Sequence, residues 1–129
     1  MRLTYFIILI FYSGIAWSDS LSGRVVRVTD GNTIVVLDSN QAQHKIRLQG
    51  IDAPELGQAY GTQSKEHLSD AVAGKNVVVE YDKRDRDGRI VGKVLLSSDD
   101  MNLRQVEAGL AWHHKKYQNE QTTPDRVKY

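Results

Sequence analysis

The sequence predicts a mainly β fold of the α+β class, a five-stranded barrel of the OB type with two to three helices. Three observations lead to this prediction. Five short segments rich in Val, Ile and Leu are separated by turn residues, a helical pattern lies between the third and the fourth, and further helix signals follow the fifth. Five strands with a helix in that position match the OB barrel, and a generic α+β domain is the alternative.

The composition is that of one globular domain. The chain has 129 residues, of which 40% are hydrophobic and 26% are charged, and these values exclude wholesale disorder. Cysteine is absent, which excludes disulfides, thiolate metal sites and a cysteine nucleophile. The 17 Lys and Arg residues are balanced by 16 Asp and Glu residues, so a site for an anion must arise from local clustering of charge.

Residues 1–18 have the pattern of a cleaved secretion signal. Arg2 and the free amine supply positive charge, residues 5–12 are apolar, and small residues at 16 and 18 suit a signal peptidase. The apolar run is short for a membrane span, which needs about 20 residues. We expect export to the periplasm or the medium and a mature domain over residues 19–129, with an uncleaved membrane anchor as the alternative.

The first three strands are predicted to form an antiparallel meander. Residues 23–29 and 33–37 are typical of a hairpin, because Asp30-Gly31 between them is a turn in which Gly takes a positive φ readily. Residues 44–51 alternate apolar and polar side chains and form the third strand. Gly50 is expected to mark a bend or bulge that redirects the chain.

The long helix is predicted from Tyr60 to Val72, because apolar residues recur at helical spacing and Gly74 stands where a helix C-terminus favours glycine. The fourth and fifth strands follow at residues 76–82 and 89–96. Between them, the charged loop 83–88 is expected to be exposed.

Two shorter helices are predicted after the barrel. Asp99 or Asp100 can cap the second helix. Its buried face is expected to carry Leu103, Val106 and Leu110. Thr123 is expected to cap the third helix, with Pro124 at its first helical position. The sequence reaches Tyr129 barely a turn later, so we expect a truncated last helix, either in a fragment or with reduced C-terminal docking.

Arg47 and the segment Asp52-Ala53-Pro54-Glu55 bring anion-binding and cation-binding groups close together in the sequence. Taken separately, neither feature indicates a functional site. An Arg on the polar face of a strand is usually a solvated surface residue, and two carboxylates around Ala-Pro usually stabilise a turn or a helix N-terminus. Together they place a guanidinium, which can form two parallel hydrogen bonds to phosphate, near two carboxylates. Pro54 holds Ala53 extended, and carboxylate and carbonyl oxygens are the ligands that Ca²⁺ prefers.

Three further segments are candidates for the same functional site as Arg47 and residues 52–55. The turn Asp30-Gly31-Asn32-Thr33 is by itself a hairpin turn, and it becomes a site only if the barrel brings it beside Asp52. Arg89 is either one more solvated charge or a second guanidinium of a phosphate clamp. Residues 112–117 interleave basic and aromatic side chains, which suits single-stranded nucleic acid, and a solvated loop with Trp112 in the core fits equally well.

The order of these motifs resembles the thermonuclease family, the staphylococcal nuclease-like domain. The matching segments are DGNT between two strands, IRLQGIDAPE, YG before a helix, DRDGR, and MN followed by GLAWHHKKY, over about Ser22 to Tyr129. The resemblance implies an exported five-stranded OB barrel and Ca²⁺-dependent hydrolysis of phosphodiester bonds in DNA and RNA. Its products would carry 3′-phosphate and 5′-hydroxyl groups.

The same resemblance assigns roles to individual residues. The catalytic positions are Arg47, Glu55 and Arg89. The metal positions are Asn32, Asp52 and, through its carbonyl, Ala53. Arg86 stands where the family often has Lys, and Tyr117 stands on an aromatic residue of the nucleotide pocket. The predicted nucleic-acid-binding residues are Arg86, Tyr117 and the basic residues Lys115 and Lys116.

Substitutions at three positions depart from the family pattern. Asn32 replaces the family's second aspartate ligand, so the site has one negative charge fewer, which predicts weak metal binding. Asp87 and Lys115 replace tyrosines of the nucleotide pocket in the best-known member, which predicts weaker stacking on bases.

Three functions are consistent with the sequence. The first is an exported, Ca²⁺-dependent endonuclease that is monomeric, prefers single strands and has no stable membrane association after signal cleavage. The second is a catalytically weakened OB-fold module that binds nucleic acid, and the third is a protein-interaction domain. The joint presence of Arg47, Glu55 and Arg89 favours the first, because loss of catalysis would more naturally have removed one of them.

Overall fold

The computed structural model describes residues 19–129 and, for Tyr117, the backbone alone. The predicted secretion signal, residues 1–18, lies outside the described residues. In the described part of the chain, no helix has the length and apolar character needed to cross a membrane.

Five strands close into a barrel, as the sequence predicts. In chain order the strands are β1 (Asp19–Asp30), β2 (Thr33–Leu37), β3 (Gln43–Leu48), β4 (Ile51–Asp52), β5 (Asn76–Arg84), β6 (Ile90–Leu96), β7 (Asp99–Asp100) and β8 (Trp112–His113). The order β3-β2-β1-β5-β6 is antiparallel throughout, and a parallel pairing of β3 with β6 closes the ring. Strand β7 extends the edge of β6, and β4 pairs with β8 in a separate two-stranded ladder.

Three α-helices and one 3₁₀ helix accompany the barrel. They are α1 (Gly61–Val72), α2 (Met101–Glu107), the 3₁₀ helix at Lys115–Glu120, and α3 (Thr123–Lys128). Asp100 caps α2 by accepting a 3.0 Å hydrogen bond from the Leu103 N–H. The predicted cap of α3 is wrong by one residue, since Thr122 is the cap and Pro124 stands at the second helical position. No pattern in the sequence predicted the 3₁₀ helix.

Alternate side chains of the barrel strands build the core, together with Leu68 and Val72 of α1. Ile46 and Leu48 of β3 are fully buried, so Arg47 between them must point out of the barrel. The strand period therefore fixes the face on which Arg47 lies.

Gly50 bends the chain between β3 and β4, as predicted. Its φ is +78°, and a Cβ at this position would lie 2.2 Å from the side-chain amide of Gln121. The bend therefore needs both the conformational freedom and the small size of glycine.

The buried face of α2 is polar, which contradicts the predicted face of Leu103, Val106 and Leu110. Those three side chains are only partly buried, whereas Met101, Asn102 and Gln105 are buried. Polar side chains are stable there because each of them satisfies backbone groups that would otherwise be unpaired in the core.

Asn102 joins α2 to the barrel through three hydrogen bonds. Its side-chain oxygen accepts from the Val94 N–H at 3.1 Å, and its amide donates to the carbonyls of Gln49 and Gly92 at 3.0 Å. Gln49 lies between β3 and β4, so this one side chain also positions the turn that leads to Asp52.

Gln105 links α2, α1 and the β1–β2 turn. Its amide donates to the carbonyls of Gly31 at 2.9 Å and Ser64 at 3.0 Å, and its oxygen contacts the Nδ1 of His67. The turn that carries Asn32 is therefore fixed from the core side.

The C-terminal segment docks on the barrel through polar contacts. The Lys93 ammonium lies 3.0 Å from the buried carboxylate of Asp125, and the Tyr129 hydroxyl donates to Asp100 at 2.6 Å. Burial, followed by the Asp100 carboxylate, raises the pKa of Tyr129 far above its usual range, so this hydroxyl keeps its proton. Helix α3 is thus held at both ends.

We expect Asn102→Ala to lower the free energy of unfolding by about 3 kcal/mol or more, because it removes three buried hydrogen bonds. Arg104→Ala, on the exposed side of the same helix, is the control and should lower it by less than about 1 kcal/mol. Urea denaturation followed by circular dichroism measures both. Equal effects of the two substitutions would contradict this role of Asn102.

Candidate active site

Arg47 and Arg89 line one pocket of about 670 Å³ on the outer face of the barrel. Arg47 lies in the middle of the sheet, because its strand pairs with β2 at Thr33 and with β6 at Val91. Only 14% of its side chain is exposed, so it is not an ordinary solvated surface residue. Arg89 immediately precedes β6 and approaches the pocket from the neighbouring strand.

This basic pocket concentrates positive charge in a chain whose overall charge is nearly balanced. Its basic side chains are Arg47, Lys83, Arg84, Arg86, Arg89 and Lys116, and its acidic ones are Asp85, Asp87 and Glu120. Such an excess of cations attracts an anion, and guanidinium groups can bind a phosphate through paired hydrogen bonds.

Asp85 holds Arg89 in place. Its carboxylate accepts from the Arg89 Nε at 2.8 Å and from the Arg89 backbone N–H at 3.0 Å. Burial alone would raise the pKa of Asp85, but these hydrogen bonds and the guanidinium charge outweigh it and leave the pKa below its usual value. A lowered pKa means that this ion pair stabilises the fold at neutral pH and is lost only as the pH falls through that low value.

Glu120 places a carboxylate of the chain itself between two cations of the pocket. Its Oε1 lies 2.7 Å from the Lys83 Nζ, and its Oε2 lies 3.9 Å from the Arg47 Nη1. The Oε2 atom is buried and accepts no hydrogen bond from the described residues. An anion that binds Arg47 must therefore compete with Glu120, a residue that no motif in the sequence pointed to.

The β1–β2 turn lies directly against the segment that follows β4. The φ of Gly31 is not in the left-handed region, so the predicted reason for glycine here is wrong. A Cβ at this position would lie 1.8 Å from the Ser64 Oγ and 3.0 Å from the Ala53 Cβ. Glycine is needed because the turn packs closely on α1 and on Ala53, which brings Asn32 to the neighbourhood of Asp52.

The residues predicted to bind metal offer only oxygen donors. The Asp52 Oδ1 accepts from the Ala53 N–H at 2.9 Å. The Asn32 Oδ1 accepts a 3.2 Å bond from the Thr33 hydroxyl. Carboxylate, amide and carbonyl oxygens suit a hard cation such as Ca²⁺. No group of three or more His, Cys, Asp or Glu side chains clusters in the described chain, so a site here would carry little negative charge.

Glu55 lies in the exposed loop between β4 and α1. Its N–H donates to the Gln58 side chain at 2.8 Å, and its carbonyl accepts from the Gln58 N–H at 2.9 Å. Glu55 is not among the described residues that line the basic pocket. It follows Asp52 by three residues in the sequence.

The segment 112–117 divides among different surfaces instead of forming one basic and aromatic patch. Trp112 is 51% exposed, so the alternative in which it fills the core is wrong. The Lys115 ammonium lies 2.9 Å from the Nδ1 of His113, whereas Lys116 lines the basic pocket together with Arg86. The side chain of Tyr117 lies outside the description.

Comparisons with known proteins show which proteins this chain is similar to. Residues 45–129 match the family model described as staphylococcal nuclease homologue. An uncharacterized endonuclease of Escherichia coli is 45% identical over 120 residues, which cover 92% of this chain and 77% of the relative. A micrococcal nuclease of Shigella flexneri is 37% identical over 111 residues, which cover 79% of this chain and 63% of the relative.

We expect Glu120→Gln to bind a short single-stranded DNA about three- to tenfold more tightly at low salt, because a competing charge is removed from Arg47 and Lys83. The gain should shrink as salt rises. Fluorescence anisotropy measures the affinity. Glu107→Gln on α2, whose side chain is 50% exposed, is the control. Unchanged or weaker binding would show that Glu120 does not compete with the ligand.

Proposed function

The chain belongs to the staphylococcal nuclease family, and from that premise we propose that it is an exported, Ca²⁺-dependent endonuclease acting on both DNA and RNA. Membership in this family makes it a hydrolase that cleaves phosphodiester bonds of nucleic acid. The proposal adds the ion, the two kinds of substrate, the location, and products with 3′-phosphate and 5′-hydroxyl ends.

One observation carries the proposal, namely that the basic pocket adjoins the oxygen-donor turn. Arg47 pairs across the sheet with Thr33, the residue that follows Asn32, and the Asn32 carbonyl accepts from the Leu48 N–H at 2.8 Å. A phosphate bound by Arg47 and Arg89 would therefore lie next to the turn that offers the oxygen ligands.

The mechanism follows from where charge develops. When a water oxygen attacks phosphorus, negative charge grows on the nonbridging phosphate oxygens, and Arg47 and Arg89 are placed to stabilise it. Glu55 accepts the proton of the attacking water as general base. The bond from phosphorus to the 5′ oxygen breaks, that oxygen takes a proton from solvent water, and Glu55 returns its proton to the solvent. Ca²⁺ held by Asp52, Asn32 and the Ala53 carbonyl would supply Lewis-acid stabilisation of the same charge.

The proposal extends to substrate form, location and assembly. A preference for single strands is supported by the cations Arg86 and Lys116 in the pocket and by the exposed Trp112, since stacking requires accessible bases. Export is supported by the apolar segment 5–12. Cell fractionation tests the location, and light scattering on the purified protein tests whether it is a monomer.

Digestion of plasmid DNA, single-stranded DNA and RNA with Ca²⁺, compared with a chelator, tests the function. Cleavage that needs Ca²⁺ is the expected result. Binding without cleavage would instead support the catalytically weakened OB-fold module, and neither binding nor cleavage would contradict both functions.

We expect Glu55→Gln and Arg89→Ala each to lower kcat/KM about 100-fold or more, because each removes a group that acts in the transition state. Both residues lie at the surface, so circular dichroism should show an intact fold. Arg104→Ala serves as the control, with unchanged activity. Wild-type turnover in the folded variants would remove the two residues from the active site.

We expect Asn32→Asp to lower the Ca²⁺ concentration needed for half-maximal cleavage, because it adds a carboxylate to a site that has only Asp52. The φ of Asn32 is not positive, so the residue is not there to adopt a left-handed turn conformation. The control is Asn40→Asp, the same change in an exposed turn. Coincident Ca²⁺ titrations of the wild type and Asn32→Asp would remove Asn32 from the metal site.

A further inference from the structure

Trp112 projects on the same face as Asp52. The two residues stand directly opposite each other in the antiparallel ladder of β4 and β8, and the next pair is Ile51 with His113. Directly opposed residues in such a ladder place their Cβ atoms about 5 Å apart on one face. Ile51 is fully buried, so the face of this ladder that carries Ile51 and His113 is turned inward. Asp52 and Trp112 lie on the opposite, outer face.

Large apolar side chains are exposed on β8 and on the loop that carries Glu55. Trp112 is 51% exposed, Leu56 is 51% exposed and Tyr60 is 67% exposed. Leu56 and Tyr60 belong to the loop that carries Glu55, and Tyr60 has a φ of +63°, which a non-glycine residue adopts only at a cost in energy. Large exposed apolar side chains are a common feature of binding surfaces.

Hydrogen bonds tie the segment before Trp112 to α1 and to the β1–β2 turn. The Ser64 hydroxyl of α1 donates to the carbonyl of Leu110 at 2.6 Å, two residues before Trp112. The same Ser64 contacts the turn at Gly31, and Gln105 bonds to both. The start of β8, the first turn of α1 and the turn that carries Asn32 are thus held together as one wall.

We propose that Trp112 stacks on the base of the nucleotide next to the scissile phosphate. This inference rests on the proposed function, which puts that phosphate between Arg47, Arg89 and the oxygen donors near Asp52. An indole beside Asp52 then lies on the same side of the site as that phosphate and can reach a base that adjoins it. Every base has an aromatic face, so this contact tolerates any sequence and requires an unpaired base.

Binding of two strands of equal length, one with thymine bases and one abasic at every position, tests the stacking. Anisotropy is measured in chelator, so that the strands stay intact, and at equal salt. The wild type should bind the thymine strand about tenfold more tightly than the abasic one, as expected for one stacked base. Trp112→Ala should lose this difference while keeping its affinity for the abasic strand, and Trp112→Phe should retain most of it. Val127→Ala, at an exposed apolar residue of α3, is the matched control.

Intrinsic fluorescence gives a second readout that does not depend on activity. Trp112 is the one tryptophan of residues 19–129, the expected mature domain, and Trp17→Phe isolates its emission where the full chain is used. The thymine strand should quench this emission and the abasic strand should not. Equal loss of affinity for both strands in Trp112→Ala, or no quenching, would overturn the stacking role and leave the nuclease function standing. Failure of the wild type to bind either strand would overturn both.

Discussion

The parallel pairing of β3 with β6 is the interaction on which the site depends. It sets Ile46 opposite Ile90 and Arg47 opposite Val91, and it closes the barrel. The alternation of side chains then sends Ile46 into the core and Arg47 outward, while Arg89 reaches the same surface from the residue before β6. Backbone hydrogen bonds of β3 hold Arg47, Asp85 holds Arg89 just outside β6, and both arginines therefore line the same pocket.

The pocket also shows how a chain of balanced charge can prepare a site for an anion. Basic side chains brought together repel one another, and the nearby carboxylates of Asp85 and Glu120 offset that repulsion. The two carboxylates act differently. Asp85 accepts hydrogen bonds from the Nε and the backbone N–H of Arg89 and so orients it, whereas the Glu120 Oε2 lies 3.9 Å from Arg47 and accepts no hydrogen bond from the described residues. Asp85 thus orients Arg89, whereas Glu120 competes with an anion for Arg47.

Local periodicity predicted most of the fold. The five strands, α1, its glycine at position 74 and the bend at Gly50 follow from alternation, helical spacing and turn chemistry, which act within a few residues. Features of the fold that depend on residues far apart in the sequence were not predicted, or were predicted for the wrong reason. The buried face of α2 carries Asn102 and Gln105 because barrel backbone groups need partners, and Gly31 is small because Ser64 and Ala53 crowd it. The residues alone left Arg89 either as a solvated charge or as the partner of Arg47 in a phosphate clamp, and Glu120 had no sequence signal.

In the proposed function, binding of the ion and binding of the substrate phosphate strengthen each other, because each supplies charge that the other's site lacks. Asp52 is the one carboxylate of the predicted donor set and Asn32 adds a neutral oxygen, so a divalent cation there keeps a net positive charge. Thr33, next to Asn32, pairs with Arg47, which places the phosphate site beside the cation site in the same sheet. Phosphate bound by Arg47 supplies the missing negative charge. Linkage then requires that cation and phosphate raise each other's affinity by the same factor, so the cation site is weak until the substrate binds.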